Sequence, residues 1–209
     1  DQGAYASCTH TGLSEGLHTL EARAKDLAGN LDPTPASYTW TVDITPPDTQ
    51  IGYKPPIFSN STWADFSFSS VDSTATFECS MDNPNWVPCT TPKNDPGLAQ
   101  GLHTFSVRAK DPAGNVDATP ASYTWTVDTI LPFVISIVRA PGFANPTNLS
   151  SVNFTVNFSE TVIGVGTEDF SLYTSGVSGA SITGVSGSGA SYTVTVNTGN
   201  GSGTIRLDQ

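Results

Sequence analysis

GLHTLEARAKDLAGNLDPTPASYTWTVD, from Gly16 to Asp43, returns as GLHTFSVRAKDPAGNVDATPASYTWTVD from Gly101 to Asp128. The copies lie 85 residues apart and differ at six of 28 positions, numbered 20, 21, 22, 27, 31 and 33 in the first copy. A period this long exceeds one turn of a solenoid and fits one small β-sandwich domain per repeat. Inside each copy the side chains alternate. In Tyr38, Trp40 and Val42 the apolar groups take one face, while Thr39 and Thr41 take the other, which predicts a half-buried strand. LEARAK from Leu20 and FSVRAK from Phe105 alternate in the same way, and D-x-A-G-N and T-P-A turns separate the strands.

The repeat extends upstream. Asp1–Cys8 aligns with Asp82–Cys89, with four residues fewer between Cys8 and Gly16 than between Cys89 and Gly101. The second copy also carries Cys79, in FECSMDNPNWVPC, so the chain has three cysteines. This arrangement predicts a Cys79–Cys89 disulfide across a hairpin, and a partner for Cys8 upstream of residue 1. Free thiols in a cytosolic protein are the alternative, and structural disulfides belong to oxidising compartments. A metal role is weaker, because the two cysteines have no second Cys/His pair beside them.

Further strands are expected around Trp63, Phe66 and Phe68, and from Thr76 to Cys79. After Phe133 the cysteines, tryptophans and GLHT signature end. VNFTVNF (Val152 to Phe158) and YTVTV (Tyr192 to Val196) take over between Gly/Ser runs. No segment has helical period and length. Three segments follow: 1–43, the end of one repeat; 48–128, a whole repeat; and 133–209, a domain of a second type that stops in mid-strand pattern. The connections, ITPPD at Ile44–Asp48 and TILP at Thr129–Pro132, are short and stiffened by proline.

The composition narrows function. Eight basic residues stand against 19 acidic ones, a net charge of −11, and the four Lys and four Arg are scattered. That excludes an electrostatic nucleic-acid footprint and disfavours an anionic membrane surface. No apolar run is long enough to span a membrane as a helix.

FECSMDNPNWVPC…GLHTFSVRAKDPAGNVDATPASYTWTVD resembles the bacterial immunoglobulin-like repeats of very large secreted and surface proteins, often grouped with adhesins. Segment 133–209 resembles a second bacterial immunoglobulin-like family, on Phe158, Ser159, Glu160, Val162, Gly164, Asp169 and Phe170, with Glu168 beside them. Together the resemblances cover essentially the whole chain. They imply an all-β chain of tandem immunoglobulin-like β-sandwiches joined by short proline-containing linkers, with structural, spacer or adhesive use and no catalytic residues.

The chemistry-bearing residues fit this expectation. His18 and His103 are repeat equivalents without a neighbouring ligand cluster, and His10 meets Thr91 in the second copy. No nucleophile elbow, phosphate loop or dinucleotide fingerprint occurs. One constellation is a candidate calcium site: Asp26, Asn30 and Asp32 around Gly29, repeated as Asp111, Asn115 and Asp117 around Gly114. Its competing reading is a tight turn in which Asp and Asn bond the local backbone. Asp43, Asp48 and Asp128 at the junctions are a further cation candidate. Trp40 and Trp125 read as core residues. Trp63 and Trp86 are freer, and Trp86 is expected as a lid over the disulfide or an exposed contact.

The sequence thus predicts a non-enzymatic stalk or fibre segment, extracellular or at a cell surface. Its partners would be neighbouring repeats or other copies in a fibre, and it would need no cofactor unless calcium fills the candidate sites. The alternative is a carbohydrate- or partner-binding module appended to a secreted enzyme. That alternative predicts an exposed aromatic row, whereas a stalk predicts buried tryptophans.

Overall fold

The computed structural model describes residues 8–142 and 145–208. The chain is all-β: its described residues contain no α-helix and a single 3-10 turn. Two compact units divide it, one reaching to Thr129 and the other starting at Ile130.

In the first unit, β1 (Gly16–Ala22) and β2 (Ala36–Val42) form a two-stranded antiparallel sheet. Then follow β3 (Thr49–Ile51), β4 (Phe58–Ser59), β5 (Ala64–Phe66), β6 (Phe68–Ser70), β7 (Thr76–Met81), β8 (Val87–Cys89), β9 (Lys93–Asp95), β10 (Gly101–Lys110) and β11 (Ala121–Val127). The main sheet runs β4-β11-β10-β7-β8, while β3 pairs β6 and β5 pairs β9 in two small sheets. Alternation in β10 buries His103, Phe105, Val107 and Ala109 and leaves Leu102 and Lys110 outside. Ala64, Phe66 and Phe68 from the small sheets close over that face, joined by Cys79, Trp125 and Val127. Phe66 stacks on Phe105 with centroids 4.1 Å apart and meets Trp125 edge-on at 5.3 Å. Two layers therefore enclose one core, as in a sandwich.

The expected single strand through Trp63, Phe66 and Phe68 is two strands. Ser67 breaks it: its N–H donates to Tyr53 O and its carbonyl accepts from Gly52 N. β5 and β6 consequently take different partners, and Trp63 falls outside both.

The repeat persists in the backbone. Seven pairs join β1 to β2, from Gly16↔Val42 to Ala22↔Ala36, and adding 85 reproduces the β10–β11 register from Gly101↔Val127 to Val107↔Ala121. The isolated bridge Lys25↔Leu31 likewise matches Lys110↔Val116.

The second unit contains β12 (Val134–Arg139), β13 (Ser151–Phe158), the 3-10 turn η1 (Thr167–Asp169), β14 (Ser171–Ser178), β15 (Ser181–Ser188), β16 (Ser191–Asn197) and β17 (Asn200–Asp208). One sheet runs β12-β13-β16-β15, and β14 pairs β17 in another. The core joins Val152, Val156 and Phe158 with Tyr192, Val194 and Val196 from the first sheet, and adds Phe170 and Leu207 from the second side. Four of the residues that carry the second resemblance have structural roles in this unit. Phe158 and Phe170 are core, the Ser159 hydroxyl accepts from Phe133 N, and Asp169 accepts from Gly166 N.

Candidate functional site

Polar side chains concentrate in the first unit at three places: the D-x-x-G-N turns, the Cys79–Cys89 hairpin, and His103 beneath that hairpin.

In each turn, glycine supplies a positive φ, +93° at Gly29 and +99° at Gly114, a region costly for other residues. Asp26 accepts from the N–H of Asn30 at 2.8 Å and from its Nδ2 at 2.7 Å. Asp111 accepts from Gly114 N at 2.7 Å, Asn115 N at 2.8 Å and Asn115 Nδ2 at 2.8 Å. Asp32 accepts from Thr34 N and Oγ1, and Asp117 from Thr119 N and Oγ1. The Asn30 side chain and backbone hold the Asp26 carboxyl below its ordinary value. Burial works to raise Asp111, but bonds from Asn115, Gly114 and Ala113 outweigh it and the carboxyl ends lowered. Asp117 follows the same pattern, with Thr49 and Thr119 overcoming burial. The six candidate calcium residues thus organise their own turns. Among the described residues, no group of three or more His, Cys, Asp or Glu side chains is placed to hold a metal together. At the junctions, Asp43 accepts from Thr45 N and Asp128 from Gln100 Nε2. Asn115 Nδ2 also donates to Asp43 O at 3.0 Å, so the turn of the second copy grips the connection that precedes it.

Cys79 and Cys89 form the expected disulfide, closing the β7–β8 hairpin. Cys8 is exposed and has no bridge to another described residue; its Sγ lies 3.4 Å from His10 Nε2. The stretch 1–7 that aligns with the second hairpin, including Tyr5 opposite Trp86, lies outside the described residues. Trp86 is half-buried, and the Arg108 guanidinium sits over its ring 4.4 Å from the centroid. Arg108 in turn pairs with Glu78 at 2.7 Å. The sequence did not reveal this stack, because its members lie 22 and 30 residues from Arg108 and meet only through the β7–β10 register.

His103 is buried beside Trp125, ring centroids 5.6 Å apart. Its Nε2 donates to Ala99 O at 2.8 Å, and its Nδ1 meets Asp82 Oδ2 at 2.6 Å. A carbonyl and a carboxylate both require donors, so the geometry suits imidazolium. The Ala99 carbonyl raises the His103 pKa most; burial opposes this, and the hydrogen bond and charge of Asp82 add to it. His18 repeats half of the arrangement, donating from Nε2 to Ser14 O at 2.7 Å.

The tryptophans divide. Trp125 is core at 1% exposure, whereas Trp63 is 60% exposed. Trp40, expected in a core, is only half-buried. It faces His18 as Trp125 faces His103, yet no second layer of described residues covers the β1–β2 sheet. An open depression beside the hairpin is lined by Ser80, Asp82, Asn83, Leu102, Thr104 and Ser106. Its polar atoms already bond within the protein: Ser80 to Asn83 O, Thr104 to Thr124, and Ser106 to Ser122.

No family model matches the chain. The chain is 33% identical over 187 residues to Exoglucanase B of Cellulomonas fimi, an alignment covering 80% of this chain and 17% of that protein. The chain therefore spans 17% of the length of the curated relative it matches.

Proposed function

We propose that this chain is a non-catalytic, extracellular spacer segment of a larger protein. It is built of tandem immunoglobulin-like β-sandwiches of the bacterial repeat type, with segments 1–43, 48–128 and 133–209 joined by short proline-containing connections. Its work is that of a structural or adhesive stalk, and its partners are adjoining repeats or other copies in a fibre. The observation that carries this reading is where the repeated polar side chains point. His18 and His103 donate to carbonyls of their own unit, and Asp26, Asp32, Asp111 and Asp117 accept from their own turns. Duplicated polar residues used this way serve the fold. The disulfide supports an oxidising compartment. Intact mass of the native polypeptide, reduced and denatured, tests the reading. A chain many times larger than 21.9 kDa is expected, and one near that mass overturns the stalk.

A carbohydrate-binding module appended to a secreted enzyme is the second reading. Two observations favour it: the similarity to Exoglucanase B and the exposed ring of Trp63. Depletion of the chain from solution by insoluble glucan, abolished by Trp63→Ala, would establish this reading in place of the stalk.

A further inference from the structure

Asp82 opens the disulfide hairpin in an unusual backbone state, with φ +55°, and is the one described non-glycine residue at positive φ. Three bonds hold it to β10. Its N–H donates to Thr104 O at 2.9 Å, its Oδ1 accepts from Thr104 N at 2.7 Å, and its Oδ2 meets His103 Nδ1 at 2.6 Å. The β7–β10 ladder ends at Met81↔Phe105, so this side chain carries the pairing one step further along the hairpin. His103 is anchored from behind, because Nε2 donates to Ala99 O. We infer that the Asp82–His103 pair is a proton-operated latch: with His103 charged, the hairpin carrying Trp86 is clipped to β10, and with His103 neutral the clip releases.

The reason is donor supply. A neutral imidazole owns one N–H, yet the ring faces two acceptors. Once the second proton leaves, either the Ala99 carbonyl or the Asp82 carboxylate faces a bare nitrogen lone pair. The Ala99 acceptor is a backbone carbonyl, held in place by the chain entering β10, whereas the Asp82 acceptor is a side chain, 40% exposed, that can turn towards water. Water can replace the lost partner of Asp82, so that is the bond that yields. The groups packed on the ring leave one charge in control. Asp82 comes from the hairpin, uncharged Trp125 from β11, and a backbone carbonyl from the segment before β10. Raising of the His103 pKa by Ala99 and Asp82 agrees with this, since the charged form is the one the fold favours. The sign follows: the latch is closed below the ordinary histidine value of 6.5 and opens as pH rises through the folded one.

Amide hydrogen exchange on the intact, oxidised chain tests this, with protection corrected for intrinsic rates and followed alongside the His103 ring resonances from pH 5 to 9. Protection of the Asp82 and Thr104 amides should fall by about tenfold as His103 deprotonates, the scale of losing one charge-assisted hydrogen bond. Amides of β11 should not change, and Asp82→Asn should remove the pH dependence and lower the His103 midpoint. Hairpin protection that stays flat through the His103 titration overturns the latch. So does a His103 midpoint equal in wild type and Asp82→Asn.

Discussion

Two tryptophans that are identical in sequence context have different energetic weight. Trp125 packs against Phe66, Tyr123 and His103 and is fully enclosed, whereas Trp40 keeps the stacking of Tyr38 and His18 without a covering layer among the described residues. Trp125→Ala should therefore cost about 3–5 kcal/mol of unfolding free energy, and Trp40→Ala under about 1 kcal/mol. Denaturant titrations read by near-UV dichroism check both. Ionisation acts in two directions at this scale. Asp26, Asp111 and Asp117 have lowered folded values, so their contribution is present above the ordinary 3.8 and disappears as pH falls through the folded values. His103 is raised, so its contribution is full below 6.5 and disappears as pH climbs. The first unit should be most stable between about pH 3.8 and 6.5, which thermal melts across pH 3 to 9 would show. A maximum at pH 8 would contradict the assignment.

The hairpin β7–β8 is the element whose integrity rests on a covalent link. A bridge closing a separation of 10 residues should contribute about 2–3 kcal/mol by loop-entropy reasoning. Cys79→Ser with Cys89→Ser should lower the denaturant midpoint accordingly, and an unchanged midpoint would mean the β7–β10 ladder suffices alone. The D-x-x-G-N turn is the second element of interest. Its carboxylates already accept from the turn's own N–H groups, so millimolar calcium or a chelator should leave the melting temperature unchanged. An upward shift with calcium that Asp111→Asn abolishes would establish the cation reading. The turns and strands that surround them were legible in advance, because a period of two and an aspartate–glycine turn are local chemistry. The break at Ser67 was not, since it depends on bonds with Gly52 and Tyr53 in the segment that follows β3.

For the whole molecule, two separate cores, one around Phe66 and Trp125 and one around Val156 and Val194, predict two calorimetric transitions. A single transition would show the units unfolding as one. At the connection 43–48, Asn115→Ala should speed limited proteolysis severalfold by removing its bond to Asp43 O, with the melting temperature of the second unit unaffected. The amino-acid sequence by itself determined the all-β class, the alternation within each strand, the 85-residue correspondence and the cysteine pair that bridges. Each of these is written in neighbouring residues or in the repeat. The corresponding LEARAK and FSVRAK segments mark where that information ends. β1 stops at Ala22, whereas β10 continues to Lys110. β7 pairs with Phe105 through Lys110, and no described strand flanks β1 on that side. Trp40 and Trp125, and the meeting of Asp82 with His103, divide on the same ground. Burial and hydrogen bonding belong to pairs of surfaces, so one strand's sequence states what it can bury, and only the tertiary structure decides what covers it.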